Sequence, residues 1–412
     1  MGVETVKRTR TTALLTILIF VFITGQVWAH NPAAVRISDG LSLGLFVNAS
    51  GELNSFGYRL LGFLNKHWSD DERLAVADSI GTDGLHLKIQ ADPYVFVQYN
   101  NFRVQGGGKA EGWAMVPKEL AELAFRGITI EQIESGELKY DFSDIQGQGG
   151  AYAYGGLTAV FSVADYLGLD VEDIKIGVSG RYLHGLAYGE TDFHGTLEYF
   201  EEDNQARVVS SDLDLTAYYA RQGRGWAVDA GVYAQVTPRL AVDVSVANIG
   251  QVIWTDVSGK RYARPGEWEL IRFGFDPDNF EFDFEFADGE ELQEEDLSDL
   301  DDITWKLPLR IQLGAQYEFD EQVTLRGSVR QIRFGDGLTD FGVGGQVEYR
   351  PVRFVPLTLG ADYSTSQSFT MDGGVGLRFD SFTMQFIAKN LQSLFLTSGR
   401  GLGFSFTVGL EF

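Results

Sequence analysis

His194, Asp192 and Glu190 come nearest to a catalytic pattern in this chain. Residues two apart on an extended strand share a face, so Asp192 and His194 would stand side by side, as in a hydrolase that orients a general base. The nucleophile is missing: Gly177-Val178-Ser179-Gly180 lacks the second spacing of a G-x-S-x-G elbow. His30, His67, His86 and His184 are scattered. A second concentration of reactive groups is 276–302, DPDNFEFDFEFADGEELQEEDLSDLDD, with fourteen Asp or Glu and no Lys or Arg. Phe280, Phe282, Phe284 and Phe286 share one strand face there, and Glu281, Asp283 and Glu285 the other. Hard cations such as Ca²⁺ or Mg²⁺ take several oxygen ligands, but EF-hand spacing is absent and the run reads as a solvated acidic loop. Gly106-Gly107-Gly108 and Gly147-Gln148-Gly149-Gly150 read as turns rather than phosphate loops. The chain has no cysteine, which removes disulfides and thiolate metal sites. These residues predict no catalytic group, no metal and no cofactor, and a protein that is not an enzyme.

The elements that would carry these residues are strands. The chain of 412 residues has 49 glycines, 9 prolines and 13% aromatic residues. Period-2 alternation recurs along it. Leu240, Val242, Val244 and Val246 alternate with Ala241, Asp243, Ser245 and Ala247. Trp226, Val228, Ala230 and Val232 alternate with Ala227, Asp229, Gly231 and Tyr233. Leu309, Ile311, Leu313, Ala315 and Tyr317 alternate with Arg310, Gln312, Gly314 and Gln316. Such segments match the roughly 9–11 residues with which a tilted strand crosses hydrocarbon, and only a closed barrel leaves no strand edge unpaired in lipid. The fold class expected is therefore all-β, a transmembrane antiparallel β-barrel of 14–18 strands, with 18 from a direct parse and an even number required.

Both ends of the chain carry signals. Lys7, Arg8 and Arg10 precede an apolar run, Ala13 to Thr24, and Val27-Trp28-Ala29 offers a cleavage site, so residues 1–29 read as a secretory signal peptide. Its removal takes away three positive charges and one negative and moves the net charge from −25 to −27. That balance argues against nucleic acid as a partner, which needs a basic footprint. At the other end Phe404, Phe406, Val408, Leu410 and Phe412 share one parity and the chain closes on an aromatic. This is the form of the barrel-assembly signal that the insertion machinery of an outer membrane reads. The expected domain is a barrel over 30–412 in the outer membrane of a Gram-negative-type cell, with outer-membrane lipid and the insertion machinery as partners.

Turn lengths alternate. Thr237-Pro238-Arg239, Phe319-Asp320-Glu321, Arg350 to Arg353 and Asp380-Ser381 read as short periplasmic turns; 250–305, 334–340, 364–369 and 390–401 read as longer external connections, the first being a long acidic extracellular loop. Capping signals at Ser69 and Thr129 and Pro117 ahead of KELAELAF predict three short helices. Strand parity assigns the insert 117–136 to the periplasmic side. The inward parity carries Lys175, Arg181, Asp229, Asp243, Arg310, Arg326, Arg330 and Asp362, together with Gln346 and Glu348. These are the candidate lumen-lining residues, and their mixed signs fit either a polar channel or a braced, closed interior.

Asn31-Pro32-Ala33-Ala34 resembles the Asn-Pro-Ala element near the N-terminus of FadL-like outer-membrane proteins. PKELAEL (117–123), GRYLHGLAY (180–188), GWAVDAGVYAQVTPRLAVDVSVANIG (225–250) and KLPLRIQLGAQYEF (306–319) resemble an uncharacterised outer-membrane barrel family related to TraF-like conjugal-transfer proteins. The first resemblance implies a passive channel for small, hydrophobic molecules, with a small-molecule ligand. The alternative is a non-transporting scaffold or a secretion or conjugation accessory that holds partners with its long loop.

Overall fold

The computed structural model describes residues 31–34, 38–53, 70–81, 84–126, 139–141, 145–164, 171–202, 205–276, 281–286, 292–334, 339–365, 368–392 and 401–412. The signal peptide, His30, His67, the cap at Ser69, the helix expected after Thr129, and 277–280 and 287–291 of the acidic run lie outside the described residues, and the side chains of 281–286 are not described.

The chain builds one closed antiparallel barrel of 14 crossings. β1 (Ser38–Leu53) leaves the end of the barrel where the chain also finishes. β2 (Leu85–Ala91) and β3 (Tyr94–Asn100) return as a single crossing, and β4 (Phe102–Val116) goes out again. After β5 (Lys139–Asp141), β6 (Gln146–Ser162) returns and β7 (Asp173–Glu202) runs outward far past the rim. β8 (Gln205–Ala220) and β9 (Gln222–Thr237) come back as one line, and β10 (Leu240–Thr255) and β11 (Val257–Asp276) go out as one. After β12 (Glu281–Phe286), the return is made by β13 (Gln293–Leu300), β14 (Ile303–Lys306) and β15 (Leu309–Glu318). Plain hairpins complete the wall: β16 (Val323–Arg333), β17 (Thr339–Val352), β18 (Val355–Ser364), β19 (Ser368–Arg378), β20 (Phe382–Lys389) and β21 (Leu402–Glu411). β21 pairs with β1 from Ser42↔Glu411 to Gly51↔Leu402, and this seam closes the cylinder.

Several crossings are interrupted, which explains the parse of 18. β2 and β3 keep one register against both neighbours (Ala49↔Ala91 and Phe46↔Tyr94 on β1, Ala91↔Ala110 and Tyr94↔Gly107 on β4). Pro93 between them has no N–H to donate, so its pairing with Gly108 keeps only the bond from Gly108 N to Pro93 O, at 2.9 Å. In a sequence, Asp92-Pro93 looks like a turn, and a count that takes it for one gains a crossing. β8 and β9 likewise form one crossing across Arg221, and a count back from the C-terminus that divides them inverts the side given to everything before them. The helical insert is corrected accordingly. α1 (Asp70–Ala77) and α2 (Lys118–Arg126) both lie at the end opposite the termini, and Val76, Ala77 and Ile80 pack against Ala121 and Phe125 there. The acidic stretch is corrected as well. Most of 250–305 is strand, and the upper part of β7 with β8, β11, β12 and β13 forms a sheet standing beyond the rim. The glycine clusters read as turns lie inside β4 and β6. The four short turns lie at the end of the termini as expected.

The burial pattern is inverted relative to a soluble sandwich. Leu313, Leu359, Val375 and Phe386 point outward and are about half exposed, whereas Asp243 and Glu348 point inward and are 1% exposed. A continuous apolar belt of this kind is stable only against lipid. Near the end of the termini it is bordered by exposed Tyr99, Phe102, Phe319, Phe354, Phe379 and Phe412, with Phe354 and Phe379 stacked at 5.9 Å. Phe404, Phe406, Val408 and Leu410 share this outward parity on β21. We expect Leu313→Arg, in the middle of β15, to cost about 2–4 kcal/mol of folding free energy in lipid vesicles. Gln312→Asn, on the inward face, should cost much less. Urea titration of both variants reads the difference.

Outside the belt, Arg261 of β11 donates to both carboxylate oxygens of Asp214 on β8, and these hydrogen bonds, with the guanidinium charge, hold the Asp214 carboxyl below the usual carboxylate range. A depressed pKa means the pair contributes above the unfolded value of about 3.9 and is lost as pH falls through the folded value. Hydrogen exchange at 258–264, corrected for intrinsic rate, should be flat from about pH 7 to 5 and accelerate below about pH 4.

Candidate functional site

The lumen is occupied by side chains at three levels. Nearest the end of the termini, the 3-10 turn Pro32–Ala34 lies inside the barrel against β7, β9 and β10. Asn31 donates from Nδ2 to Asp243 Oδ2 at 3.0 Å, and its Oδ1 accepts from Ala33 N at 2.9 Å. The approach is so close that a Cβ on Gly231 would sit 2.0 Å from Asn31 Oδ1, and one on Gly177 would sit 2.3 Å from Ala33 N. Only glycine admits this contact at those two wall positions. Across the lumen at the same end, Glu348 serves three guanidinium groups. Arg326 reaches Oε2 at 3.3 Å, and Arg350 Nε and Arg378 Nη1 reach Oε1 at 2.9 and 3.4 Å.

The middle level is held by a bulge. β10 slips register between Val246 and Ile249, and Asn248 takes a left-handed conformation with φ 64°, which asparagine tolerates better than other non-glycine residues. The bulge aims Asn248 inward. Its backbone N–H donates to Asp229 Oδ1 at 2.8 Å and its Oδ1 accepts from Arg181 Nη2 at 2.8 Å. Arg181 also pairs with Asp229 Oδ1 at 2.7 Å. Beside this knot, Arg330 binds Asp362 through two nitrogens. Lys109 pairs with Glu111 at 2.8 Å.

The outermost level is apolar in one sector. Tyr152 of β6, Tyr188 of β7, Trp254 of β10 and Trp305 of β14 form a buried cluster with Leu183, Val252 and Leu307. Tyr188 stacks on Trp254 at 5.3 Å, and Trp305 lies 6.2 Å from Tyr152 and 6.4 Å from Trp254. Small wall residues make room: Trp254 covers Gly185 and Gly223, and Trp305 covers Gly150. Trp254 Nε1 and Tyr152 OH are buried with no hydrogen-bond partner among the described residues. Tyr188 OH, by contrast, donates to Glu190 at 2.6 Å and accepts from Gln148 at 3.0 Å.

All eight lumen candidates inferred from the sequence lie on inward parities, in separate groups. Arg181 with Asp229, Arg326 with Glu348, and Arg330 with Asp362 are ion pairs; Asp243 holds Asn31; Lys175 pairs with Asp173 at 3.4 Å beside Tyr233; and Arg310 lines a polar cavity together with Arg330 and Asp362. His194 and Asp192 do meet, at 3.1 Å, on the exposed ladder beyond the rim and away from the lumen. Sequence reasoning missed the aromatic cluster. Its signal was available as aromatics on the polar parity of four strands, but those strands are far apart in sequence.

Glu348→Ala should leave Arg326, Arg350 and Arg378 without their shared carboxylate and cost about 3–5 kcal/mol, read as a lower urea midpoint. Gly177→Val should expel the Asn-Pro-Ala segment while the barrel still assembles. Exchange at the amides of Ala33 and Ala34 would then rise about tenfold or more, the equivalent of ~1.4 kcal/mol.

A family of unknown function, DUF5723, matches residues 189–388. A search of the curated proteins found no match. Among solved structures, the chain is similar to the toluene transporter TodX of P. putida, with 9% identity, a TM-score of 0.46, and coverage of 93% of this chain and 92% of that one. It is also similar to the toluene transporter TbuX of Ralstonia pickettii (13%, TM-score 0.46, 95% and 96%) and to a FadL homologue of Pseudomonas aeruginosa (10%, TM-score 0.45, 95% and 99%).

Proposed function

We propose that the chain is an outer-membrane barrel of a Gram-negative-type cell that passes small hydrophobic molecules passively. The observation that carries this reading is the aromatic cluster of Tyr152, Tyr188, Trp254 and Trp305 within the lumen. Interiors of membrane barrels are ordinarily polar. A sector built from four mutually packed rings on four different strands instead offers an apolar solute a place to enter from water. Two orphan donors, Trp254 Nε1 and Tyr152 OH, give that sector a polar handle. The reading assigns no catalytic step. It places both termini of the wall on the periplasmic side and the β7–β13 sheet outside the cell, and it has the insertion machinery engage the outward Phe404, Phe406, Val408, Leu410 and Phe412.

A second reading, a scaffold that holds a partner, is favoured by the sheet that β7, β8, β11 and β13 raise beyond the rim. Uptake into vesicles separates the two. Vesicles holding the full chain should take up toluene faster than empty ones, and Trp254→Ala with Trp305→Ala should change that rate severalfold while leaving arabinose uptake unchanged. Equal toluene uptake with and without the protein would remove the channel reading and leave the scaffold.

A further inference from the structure

The lipid-facing wall changes character at the end opposite the termini. There the apolar belt is bordered by outward aromatics, Tyr182 of β7, Trp226 of β9 and Phe341 of β17, each at least half exposed. Such girdles mark the level where hydrocarbon gives way to headgroups. Cations stand at this border on the same outward parity. His184 and Arg224 pair across β7 and β9, two residues beyond Tyr182 and Trp226. Lys306 of β14 faces Gln251 of β10, in the row of Trp226. Arg333 of β16 pairs with Thr339, two residues beyond Phe341. All four are exposed, and among the described residues none of them makes an ion pair. The face is also of one sign. β9, β10, β14, β15 and β16 place no Asp or Glu on the outward parity, and Asp229 and Asp243 of the same strands face the lumen. The nearest described carboxylates lie further out: Asp256 follows β10, and Asp301 and Asp302 precede β14, where Arg221 adds another cation. Asp302 is four residues from Lys306 along the chain, about 13 Å in extended backbone. At the opposite rim, by contrast, Arg353 is matched by Asp380 at 3.7 Å.

A long basic side chain at the edge of hydrocarbon lays its stem on the apolar wall and extends its charge into the headgroup layer. Arg224 and Lys306 are two strands and two residues apart, which sets them about 12 Å from each other. Side chains of that length can close on one headgroup. We infer that Arg224 and Lys306, flanked by His184 and Arg333, dock the phosphate-bearing headgroup of a membrane lipid. Phosphate is the anion that this pair suits: a guanidinium binds its oxygens in a fork and an ammonium binds as a point charge. The wall between the two cations identifies the source as a lipid rather than the free ion. It carries exposed Ile249 and Ile253 beside Trp226, a surface for acyl chains that inorganic phosphate would not use. The attraction is local, because the whole chain carries a net charge of −25 and would repel an anionic lipid elsewhere. The inference rests on the barrel standing in a membrane and not on what passes through its lumen.

The test uses the full chain in micelles of a neutral detergent, with cardiolipin, a lipid of two phosphates, as the probe and phosphatidylcholine as the control. Native mass spectrometry should show cardiolipin retained on the folded barrel and phosphatidylcholine lost at equal concentration. Arg224→Gln combined with Lys306→Gln should lower cardiolipin occupancy about tenfold. Arg239→Gln combined with Arg353→Gln, at the opposite rim, should leave it unchanged. Heat-modifiable migration on a gel checks that both variants are folded. If the first pair does not assemble, Lys306→Gln alone should lower occupancy about threefold. Sodium phosphate at the same phosphate concentration should not displace the lipid. The inference is overturned if phosphatidylcholine is retained equally, or if sodium phosphate displaces cardiolipin, since the patch would then serve the free ion. It is also overturned if the Arg224 and Lys306 variants keep full occupancy, or if the opposite-rim pair loses as much.

Discussion

The structure depends on one seam, the pairing of β21 with β1. Hydrocarbon offers no partner to a backbone N–H or C=O, so a membrane-crossing sheet must leave no edge. The ladder from Ser42↔Glu411 to Gly51↔Leu402 supplies that condition between residues nearly the whole chain apart. Closure then dictates the side chains. Each strand must present apolar residues to lipid on one parity, and the other parity is forced into a confined interior. The charges of that interior cannot disperse into bulk water and must find one another, as Arg181 finds Asp229 and as three arginines find Glu348.

Packing inside the barrel follows a rule of large against small. Trp254 lies flat over Gly223 of β9 and Gly185 of β7, and Trp305 reaches Gly150 of β6, because these glycines leave space on the wall. The Asn-Pro-Ala segment sits against the wall for the same reason, over Gly177 and Gly231. Glycine in a strand usually weakens it. Here it trades local strand propensity for close approach of an inserted group. The bulge at Asn248 is a related device, since one extra residue on β10 turns a side chain inward and ties two neighbouring strands through Arg181 and Asp229.

The interior is consequently divided by chemistry. One sector is aromatic, one is polar with charges of both signs, and the floor is a docked segment of the chain itself. Above the rim the balance changes again. β8, β11 and β13 carry exposed pairs such as Arg261 with Asp214 and Lys260 with Glu294, which keep long, twisted strands soluble while their acidic edge discourages pairing with other chains.

By itself the sequence determined the strand periodicity, the outward and inward parities, the short turns and the inward direction of charges such as Arg326 and Asp362, because these depend on residues two or ten positions apart. It also marked Asn31-Pro32-Ala33 as a distinct element without indicating where it docks. The number of crossings, the side on which α2 lies and the folding of the acidic run into strands were not legible. Asp92-Pro93 looks like a turn locally, and only pairing with β1 and β4 shows that it continues a strand. The aromatic cluster and the Glu348 centre were decided by tertiary structure alone. Their members sit on strands brought together by barrel closure, and the contacts depend on register and stagger between strands, which no single strand's pattern contains.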